Sequence, residues 1–262
     1  MPDRKDQKSL SQQRYSQFAQ SYVSSSSHAK GADLDRLLEL ARPQAAWIVL
    51  DVATGGGHTA LKFAPHVAQV IATDLTPRML EAAANHIAGK GVENVVFELA
   101  DAEDLPFEPA TFVLVSCRIA PHHFPDVARF VCESARVLRP GSVLLVQDHV
   151  LPADDAAGRY VDAFERLRDH SHNRAYNETE WRRMFQEAAL TVEHTEQVIK
   201  RHEFAGWVNR QGCTADVVAQ LEKMVAQAPA AAAAWLQPRD FGSAAATFVN
   251  HHIIIAGRTQ SG

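Results

Sequence analysis

The stretch Leu50-Asp51-Val52-Ala53-Thr54-Gly55-Gly56-Gly57 decides the fold of this chain. An apolar run over residues 47–50 leads into it, and a helix-compatible segment from His58 to Ala64 follows, which predicts a strand, a tight turn and a helix. Glycines in such a turn adopt positive φ at no steric cost and let the backbone approach a ligand closely. Because the following helix begins with unpaired N–H groups and a partial positive charge, the stretch predicts a ligand-binding turn.

The composition is ordinary for a globular protein, with a slightly acidic balance. Of the 262 residues, 46% are hydrophobic and 22% are charged, and the net charge of −5 argues against a wide nucleic-acid-binding surface. No apolar run approaches the roughly 20 residues of a membrane-spanning helix, which leaves open only contact with a membrane surface. The three scattered cysteines suggest neither disulfides nor zinc, and the polar start lacks a signal-peptide core, so we expect a cytoplasmic protein.

Strand and helix patterns alternate along most of the chain. Residues 1–13 are expected to fray, and residues 24–27 to form a break. Strands are predicted at residues 47–50, 69–73, 95–99, 111–116, 143–146, 190–199 and 248–256. Helices are predicted at residues 15–23, 32–41, 58–64, 77–88, 126–138, 158–189 and 214–236. Nearly continuous apolar strands between helices predict an α/β fold with a mostly parallel sheet that is covered on both faces.

Acidic residues follow three successive predicted strands. Asp51, Asp74 and Asp101 would line one crevice, because ligands of open α/β sheets bind beyond the carboxyl ends of the strands. Carboxylates accept hydrogen bonds from ribose hydroxyls or a purine amine, but they repel phosphate. Residues 55–60 also fit the loose dinucleotide pattern G-x-G-x-x-G/A, so an NAD-dependent oxidoreductase is an alternative. The positions of Asp51 and Asp101 argue against it.

Four segments together resemble a class I methyltransferase dependent on S-adenosylmethionine (SAM), of the branch similar to the ubiquinone/menaquinone C-methyltransferases. They are Leu50–Gly57, Asp74-Leu75-Thr76-Pro77-Arg78-Met79-Leu80, Asp101-Ala102-Glu103-Asp104-Leu105-Pro106-Phe107 and Arg136-Val137-Leu138-Arg139-Pro140-Gly141. The resemblance implies a Rossmann-like domain with a seven-stranded sheet over residues 1–262. It also implies an amino-terminal cap segment over 1–30, a cofactor core over 45–150 and helical insertions over 151–245 that cover the acceptor site.

The resemblance implies a set of SAM-binding residues. The set is Asp51, Ala53, Thr54, Gly55, Gly57, Asp74, Leu75, Asp101, Ala102, Arg118 and Tyr22. Gly55 and Gly57 would let the backbone approach the methionine part of SAM, and Asp51 would hold its ammonium group directly or through water. Ala53 stands where the family usually has its first glycine, and we expect it to need only an ordinary φ.

The remaining roles in this set concern the nucleoside and the carboxylate. Asp74 would accept the ribose hydroxyls while Leu75 packs on the adenine. Asp101 would accept from the adenine amine, and Ala102 would offer a backbone N–H. Arg118 would hold either the SAM carboxylate or an anionic group of the acceptor, or serve the structure alone, and Tyr22 would close over SAM or simply pack.

The acceptor side offers two adjacent histidines after the fourth strand. Because histidine titrates near neutrality, His122 or His123 could deprotonate a phenol or an activated carbon, although either could instead cap a helix or pack near the cofactor. A polar cluster over residues 168–176 contains His170-x-His172, a poor metal spacing on a helix, so no metal is expected. We therefore predict methylation of a small molecule at carbon or oxygen, with quinols or phenols as acceptors. A SAM-binding protein without methyl transfer is a further alternative, and the oligomeric state is open.

Overall fold

The computed structural model describes residues 4–23 and 32–261. Its main sheet has the order β3-β2-β1-β4-β5-β8-β7, and β8 runs antiparallel to both neighbours while the other pairs up to β5 are parallel. The strands are β1 (Ile48–Val52), β2 (Gln69–Asp74), β3 (Val95–Leu99), β4 (Phe112–Arg118), β5 (Leu138–Leu151), β6 (Tyr176–Asn177), β7 (Leu190–Glu203) and β8 (Thr247–Thr259). The short β6 pairs with β5 outside this order. The predicted class of fold is confirmed.

Helices connect the strands and cover the sheet. They are α1 (Arg4–Val23), α2 (Ala32–Ala41), α3 (His58–Phe63), α4 (Pro77–Ala88), α5 (Val127–Val137), α6 (Asp155–Arg168), α7 (Glu178–Glu187), α8 (Phe204–Asn209), α9 (Ala215–Ala226) and α10 (Ala230–Leu236), with 3₁₀ turns at Ala64–His66 and Pro121–His123. Within the described ranges, no helix is long and apolar enough to span a bilayer.

Two apolar clusters fill the space between the sheet and its helices. On one face, Phe130 of α5 and Trp181 and Phe185 of α7 are fully buried. On the other face, Phe63 of α3 and Ile87 of α4 pack with the inward side chains of β1 and β2. Because the helices pack closely on both faces of the sheet, the strand ends are held in place, and so are the residues that follow them.

A third apolar cluster belongs to the segments beyond β5. Phe164 of α6 stacks on Trp207 of α8, with ring centroids 5.1 Å apart, and Phe248 of β8 packs against both rings. Leu221 and Leu236 close the cluster from α9 and α10. The insertions thus share a core with the sheet through β8, and nothing in these contacts sets them apart as an independent unit.

The structure corrects several predicted element boundaries. The fifth strand runs from Leu138 to Leu151, because it continues beyond residue 146 on its antiparallel pairing with β8. The helix predicted over 158–189 is two helices separated by β6, and the one predicted over 214–236 is broken at Pro229, which lacks the N–H that would continue it.

The amino-terminal prediction was wrong in a different way. Residues 4–13 do not fray but form one helix with residues 14–23, and the predicted break over 24–27 lies outside the described residues. Over its full length the helix has no apolar stripe, so helical spacing predicted residues 15–23 but not the turns before them. It is held by polar contacts to distant loops, for example from the Gln7 amide to the Ser171 carbonyl oxygen at 2.7 Å and from the Gln12 amide to the Leu75 carbonyl oxygen at 2.9 Å.

Candidate active site

A cleft lies beyond the carboxyl ends of the strands on the β1–β4 side of the sheet. About 1010 Å³ of space lies within the cleft when its open mouth is included. Its lining comes from the glycine turn and α3 (Ala53, Thr54, Gly55, Gly56, His58, Thr59), the ends of β2 and β3 (Asp74, Leu75, Thr76, Met79, Ala100, Asp101, Ala102, Glu103), the segment after β4 (Arg118, Ile119, Ala120, His123, Phe124, Pro125) and α1 (Lys8, Ser11, Tyr15). Eight of the predicted SAM-binding residues meet here.

The glycine turn uses left-handed backbone at three places. Ala53, Gly55 and Gly57 have φ values of 53°, 55° and 78°. The expectation that Ala53 needs only an ordinary φ was therefore wrong, because its side chain stands in a conformation that costs an L-residue about 1–2 kcal/mol. Ile119, which lines the cleft after β4, is also left-handed, with a φ of 54°. For a β-branched residue this is an outlier of the kind that clusters at functional sites.

Gly57 has a packing function. It is not among the residues that line the cleft, and a Cβ atom built on it would lie 2.9 Å from Cδ1 of Ile87 and 3.2 Å from Cβ of Ala83. Gly57 therefore lets α3 lie close to α4. The close approach of backbone to a ligand is left to Gly55 and Gly56, which do line the cleft.

Asp51 lies beneath the turn, outside the cleft lining. Its carboxylate accepts from the Thr54 hydroxyl at 2.6 Å and from the Ser116 hydroxyl at 2.8 Å, and the residue is 1% exposed. Burial raises the pKa of Asp51 to about 6, although these hydrogen bonds oppose the shift. Asp51 therefore holds the turn in place through Thr54, and Thr54 is the one of the two that lines the cleft.

Asp74 ties the end of β2 to the glycine turn. One carboxylate oxygen accepts from the Gly55 N–H at 3.1 Å, and the other accepts from the Thr76 N–H at 2.9 Å. Burial raises the pKa of Asp74 above its ordinary value. Because a carboxylate offers about four lone-pair sites, Asp74 keeps acceptor capacity for donors of a ligand in the cleft.

Asp101 meets a lysine from the amino-terminal helix. The Lys8 ammonium lies 2.6 Å from one oxygen of Asp101 and 2.7 Å from a carboxylate oxygen of Glu103, while the other Asp101 oxygen accepts from the Glu103 N–H at 3.0 Å. Burial opposes the charged form of Lys8, but the hydrogen bonds and charges of the two carboxylates prevail and raise its pKa. We call this three-residue contact the Lys8 bridge. It places α1 directly over the end of β3.

Arg118 takes part in a buried charge cluster. Its guanidinium binds the Asp33 carboxylate of α2 at 2.7 Å and the Gln147 side-chain oxygen at 3.1 Å, and Lys200 of β7 binds the same Asp33 oxygen at 2.9 Å. Burial would raise the pKa of Asp33, but the two cations hold it well below its usual range. Arg118 also lines the cleft, so it both joins α2 to β4 and presents positive charge to a ligand.

The two adjacent histidines have different surroundings. His122 does not line the cleft. Its Nδ1 lies 2.6 Å from one carboxylate oxygen of Asp148, and the other oxygen accepts from the backbone N–H of His122 at 2.7 Å. Burial lowers the pKa of His122 well below its usual range and raises that of Asp148 to about 7. Among its imidazole neighbours are His149 and His172. His122 is therefore placed to position the segment after β4.

His123 does line the cleft, together with Tyr15 of α1. The Tyr15 hydroxyl and His123 Nε2 form a hydrogen bond, and His123 Nδ1 lies 2.9 Å from the Ser171 carbonyl oxygen. Burial lowers the pKa of His123. The sequence did not predict Tyr15 as a site residue, because its contact with His123 joins positions 108 residues apart. The side chain of Tyr22, a predicted SAM contact, lies outside the described residues.

The polar cluster over residues 168–176 does not line the cleft: Asp169, Ser171 and His172 are buried in the protein, while His170 and Arg174 are exposed. Arg168 stacks on Trp207 at 4.4 Å from the ring centroid, and Nε2 of His172 lies 2.7 Å from a carboxylate oxygen of Asp162. Across the described part of the chain, no group of three or more histidine, cysteine or acidic side chains is arranged to hold a metal ion. The cluster supports the loop that carries Ser171.

The fold and the cleft together define a class of protein. A doubly wound sheet with an antiparallel last pair, a glycine turn after β1 and carboxylates after β2 and β3 is the arrangement of the class I methyltransferases. A family model described as a methyltransferase domain matches residues 50–146, which span β1 to β5.

Relatives and solved structures agree with this class. An uncharacterized methyltransferase of Bacillus subtilis, YcgJ, is 38% identical over 77% of this chain and 80% of its own length. The crystal structure of the YcgJ protein superposes with a TM-score of 0.85 over 88% of this chain and 99% of that one, at 34% identity. The ubiquinone/menaquinone C-methyltransferase UbiE of Marinomonas is 33% identical over 44% of this chain and 48% of its own. The chain belongs to the class I SAM-dependent methyltransferases.

Proposed function

We propose that this enzyme binds SAM in the described cleft and transfers its methyl group to oxygen or carbon of a small phenol-like or quinol-like acceptor. The observation that supports this best is the link between Asp74 and the Gly55 N–H, which brings a carboxylate and a side-chain-free backbone together at one edge of the cleft. A ribose with two hydroxyl donors fits such an edge, whereas a phosphate does not.

The residues beside this edge fit the rest of the cofactor. Gly55 and Gly56 leave backbone open to the methionine part, and Leu75, Met79 and Ala102 supply apolar surface for a purine. Asp101 keeps acceptor capacity beyond the Lys8 bridge for an amino group. When bound, SAM supplies a methyl group activated by its sulfonium.

The charges of the cleft disfavour NAD. Asp74, Asp101 and Glu103 line it, and its lysine and arginine already contact carboxylates through the Lys8 bridge and Asp33. A pyrophosphate would meet like charge at the ends of β2 and β3. Asp51 lies beneath the turn and does not contribute to this repulsion, which comes from the carboxylates that face the cleft.

The acceptor end of the cleft favours transfer over mere binding of SAM. Phe124, Pro125, Ile119 and Ala120 give it an apolar wall, and His123 is the histidine that reaches it. Because burial lowers the pKa of His123, its imidazole is neutral near pH 7 and can serve as the base for an acceptor hydroxyl, directly or through a hydrogen-bonded group. The likeness to a quinone C-methyltransferase over less than half of either chain points to the same acceptor class.

Calorimetric titration with SAM and with S-adenosylhomocysteine tests the cofactor assignment. The wild type is expected to bind both ligands, and Asp74→Asn to lose about 10- to 100-fold in affinity, the value of hydrogen bonds to a charged group. Asp104→Asn is the matched control, since Asp104 is exposed on the same loop as Asp101.

The outcomes separate the three candidate functions. Binding that weakens in Asp74→Asn but not in Asp104→Asn supports the proposed cofactor site. Enhanced NADH fluorescence with no heat from SAM would establish the oxidoreductase instead. SAM binding without release of S-adenosylhomocysteine in a screen of quinols and phenols would leave a SAM-binding protein that does not transfer methyl groups.

A further inference from the structure

The hydrogen bond between Tyr15 and His123 joins the amino-terminal helix to the acceptor end of the cleft. We propose that Tyr15 is a catalytic residue that accepts the hydroxyl proton of a phenolic acceptor while it passes its own proton to His123. This inference rests on the proposed function and adds the residue that touches the acceptor.

The donors and acceptors around His123 fix the direction of this bond. The Ser171 carbonyl oxygen can only accept, so His123 Nδ1 carries a proton, at 2.9 Å from that oxygen. In the neutral imidazole Nε2 is then the acceptor, and the Tyr15 hydroxyl is the donor. The Tyr15 oxygen keeps lone pairs for a second donor. Since Tyr15 lines the cleft, a hydroxyl of the acceptor can donate to this oxygen.

The surroundings of His123 stabilise a positive charge when it takes the proton. The Ser171 hydroxyl lies 3.3 Å from His123 Nδ1 and donates to Asp169 at 2.6 Å, and the Gln211 amide donates to the other Asp169 oxygen at 2.7 Å. Burial would raise the pKa of Asp169, but the positive charge that His123 carries when protonated and the hydrogen bonds of Ser171 hold it at about 2, so a carboxylate is present.

Other titratable groups also act on His123. Burial and His172 lower the pKa of His123, whereas Asp169, the Ser171 carbonyl and Asp148 raise it. Neutral in the resting enzyme and backed by a carboxylate, His123 is suited to hold a proton during one turnover.

Protons and electrons balance among the acceptor, the methyl donor, Tyr15 and His123. The acceptor oxygen forms its new bond to the methyl carbon as the S–CH₃ bond breaks, and that electron pair stays on sulfur as a neutral thioether. The acceptor proton moves to the Tyr15 oxygen, and the Tyr15 proton moves to His123 Nε2. The imidazolium then returns its proton to water when the products leave.

Removal of one hydroxyl tests the relay without a known acceptor. In nitrogen NMR of histidine-labelled protein, with the His123 signal assigned by its loss in His123→Gln, the wild type should show the neutral tautomer protonated at Nδ1. Tyr15→Phe should raise the pKa of His123, because the bond that favours the neutral ring is lost. Tyr160→Phe is the matched control, since the Tyr160 hydroxyl donates to the Met224 carbonyl oxygen in the insertions. Protonation at Nε2 alone, or an unchanged His123 in Tyr15→Phe, overturns the relay.

Single-turnover reactions with SAM and phenols of graded acidity test the chemistry. In mildly alkaline buffer, Tyr15→Phe should lose about 100-fold with weakly acidic para-cresol and only a few fold with para-nitrophenol, which is largely ionised there before it binds. An equal loss across the series indicates a structural role and overturns the proposal. So does a wild type that methylates no phenol while SAM binds in the calorimeter. Absence of SAM binding would overturn the proposed function itself, which keeps the two failures distinct.

Discussion

A Cβ atom on Gly57 would lie 2.9 Å from Cδ1 of Ile87, so the helix after the glycine turn and the helix after β2 pack too closely for any larger residue. Gly57→Ala should be destabilised twice, by about 1–2 kcal/mol for its φ of 78° and by about 1–3 kcal/mol for overpacking. Gly91→Ala is the matched control, because Gly91 has a φ of 71° and no atom within 4 Å of its Cβ position. Urea unfolding should show the larger loss at Gly57. Addition of Ile87→Val should restore part of it, and equal losses at both glycines would contradict the packing argument.

Ala53 offers the opposite experiment. Ala53→Gly should increase the free energy of unfolding by about 1 kcal/mol, because glycine adopts the left-handed backbone without a Cβ clash. Ala189→Gly, with a φ of 58° at an exposed position after α7, should gain a similar amount and serves as the control. Denaturant titration of both variants checks this. A loss of stability at Ala53 alone would show that its methyl group has a packing function that outweighs the backbone strain.

The Lys8 bridge should govern how fast SAM leaves. Lys8→Met removes a half-buried ion pair with Asp101 and Glu103, worth about 1 kcal/mol, so SAM should dissociate up to about fivefold faster as α1 loosens over the cleft. Surface plasmon resonance with immobilised protein measures the rate. Lys5→Met, at an exposed position of the same helix, should leave the rate unchanged. A dissociation rate that is identical in the two variants would show that α1 does not retain the cofactor.

His202 should make the protein less stable in acid. Burial, together with Arg210, Arg168 and Lys200, lowers its pKa to about 4, and its Nε2 is buried without a hydrogen-bond partner. The unfolded chain therefore binds a proton that the folded chain refuses, so stability falls as the pH drops from about 6.5 toward 4. At pH 5, His202→Leu should gain about 2 kcal/mol more than it does at pH 8, by urea unfolding at both pH values.

A control is needed because other buried groups titrate in the same range. Asp51 and Asp148 have raised pKa values of about 6 and about 7, so they favour the folded state as the pH falls. They do so equally in the wild type and the variant and cancel in the comparison. His66→Leu, at an exposed position, should show no such difference between the two pH values. A gain for His202→Leu that is independent of pH would disprove the role of its protonation.

Much of the cofactor edge could be predicted because it is local in sequence. The glycine turn and the acids at positions 74 and 101 directly follow apolar strands, and parallel strands end at one edge of the sheet. Position 51 could not be resolved in this way. The last residues of a strand alternate between facing the ligand and facing the interior, and the structure places Asp51 beneath the turn with Thr54 and Ser116.

The acceptor side was less predictable because its contacts span long separations in sequence. His122 and His123 are equivalent as letters, yet one meets Asp148 and the other meets Tyr15, 108 residues earlier. Helix α1 gives no periodic signal over its full length, so the sequence predicted only residues 15–23 of it and not the position of Lys8 over the cleft. The sequence also did not predict the left-handed backbone at Ala53 and Ile119, because contacts with the surrounding structure, and not the residue type, impose this conformation.

The pairing of β7 with β8 places Glu203 directly opposite Thr247, so the whole segment 204–246 leaves and re-enters the sheet at one point. Such a segment can lengthen, shorten or change its sequence without altering the register of any strand. The helices between β7 and β8 can therefore change while the glycine turn and the strand ends around that turn keep their positions. A hairpin with this register therefore tolerates insertion at a single place, and the strand ends that carry the cleft keep their positions.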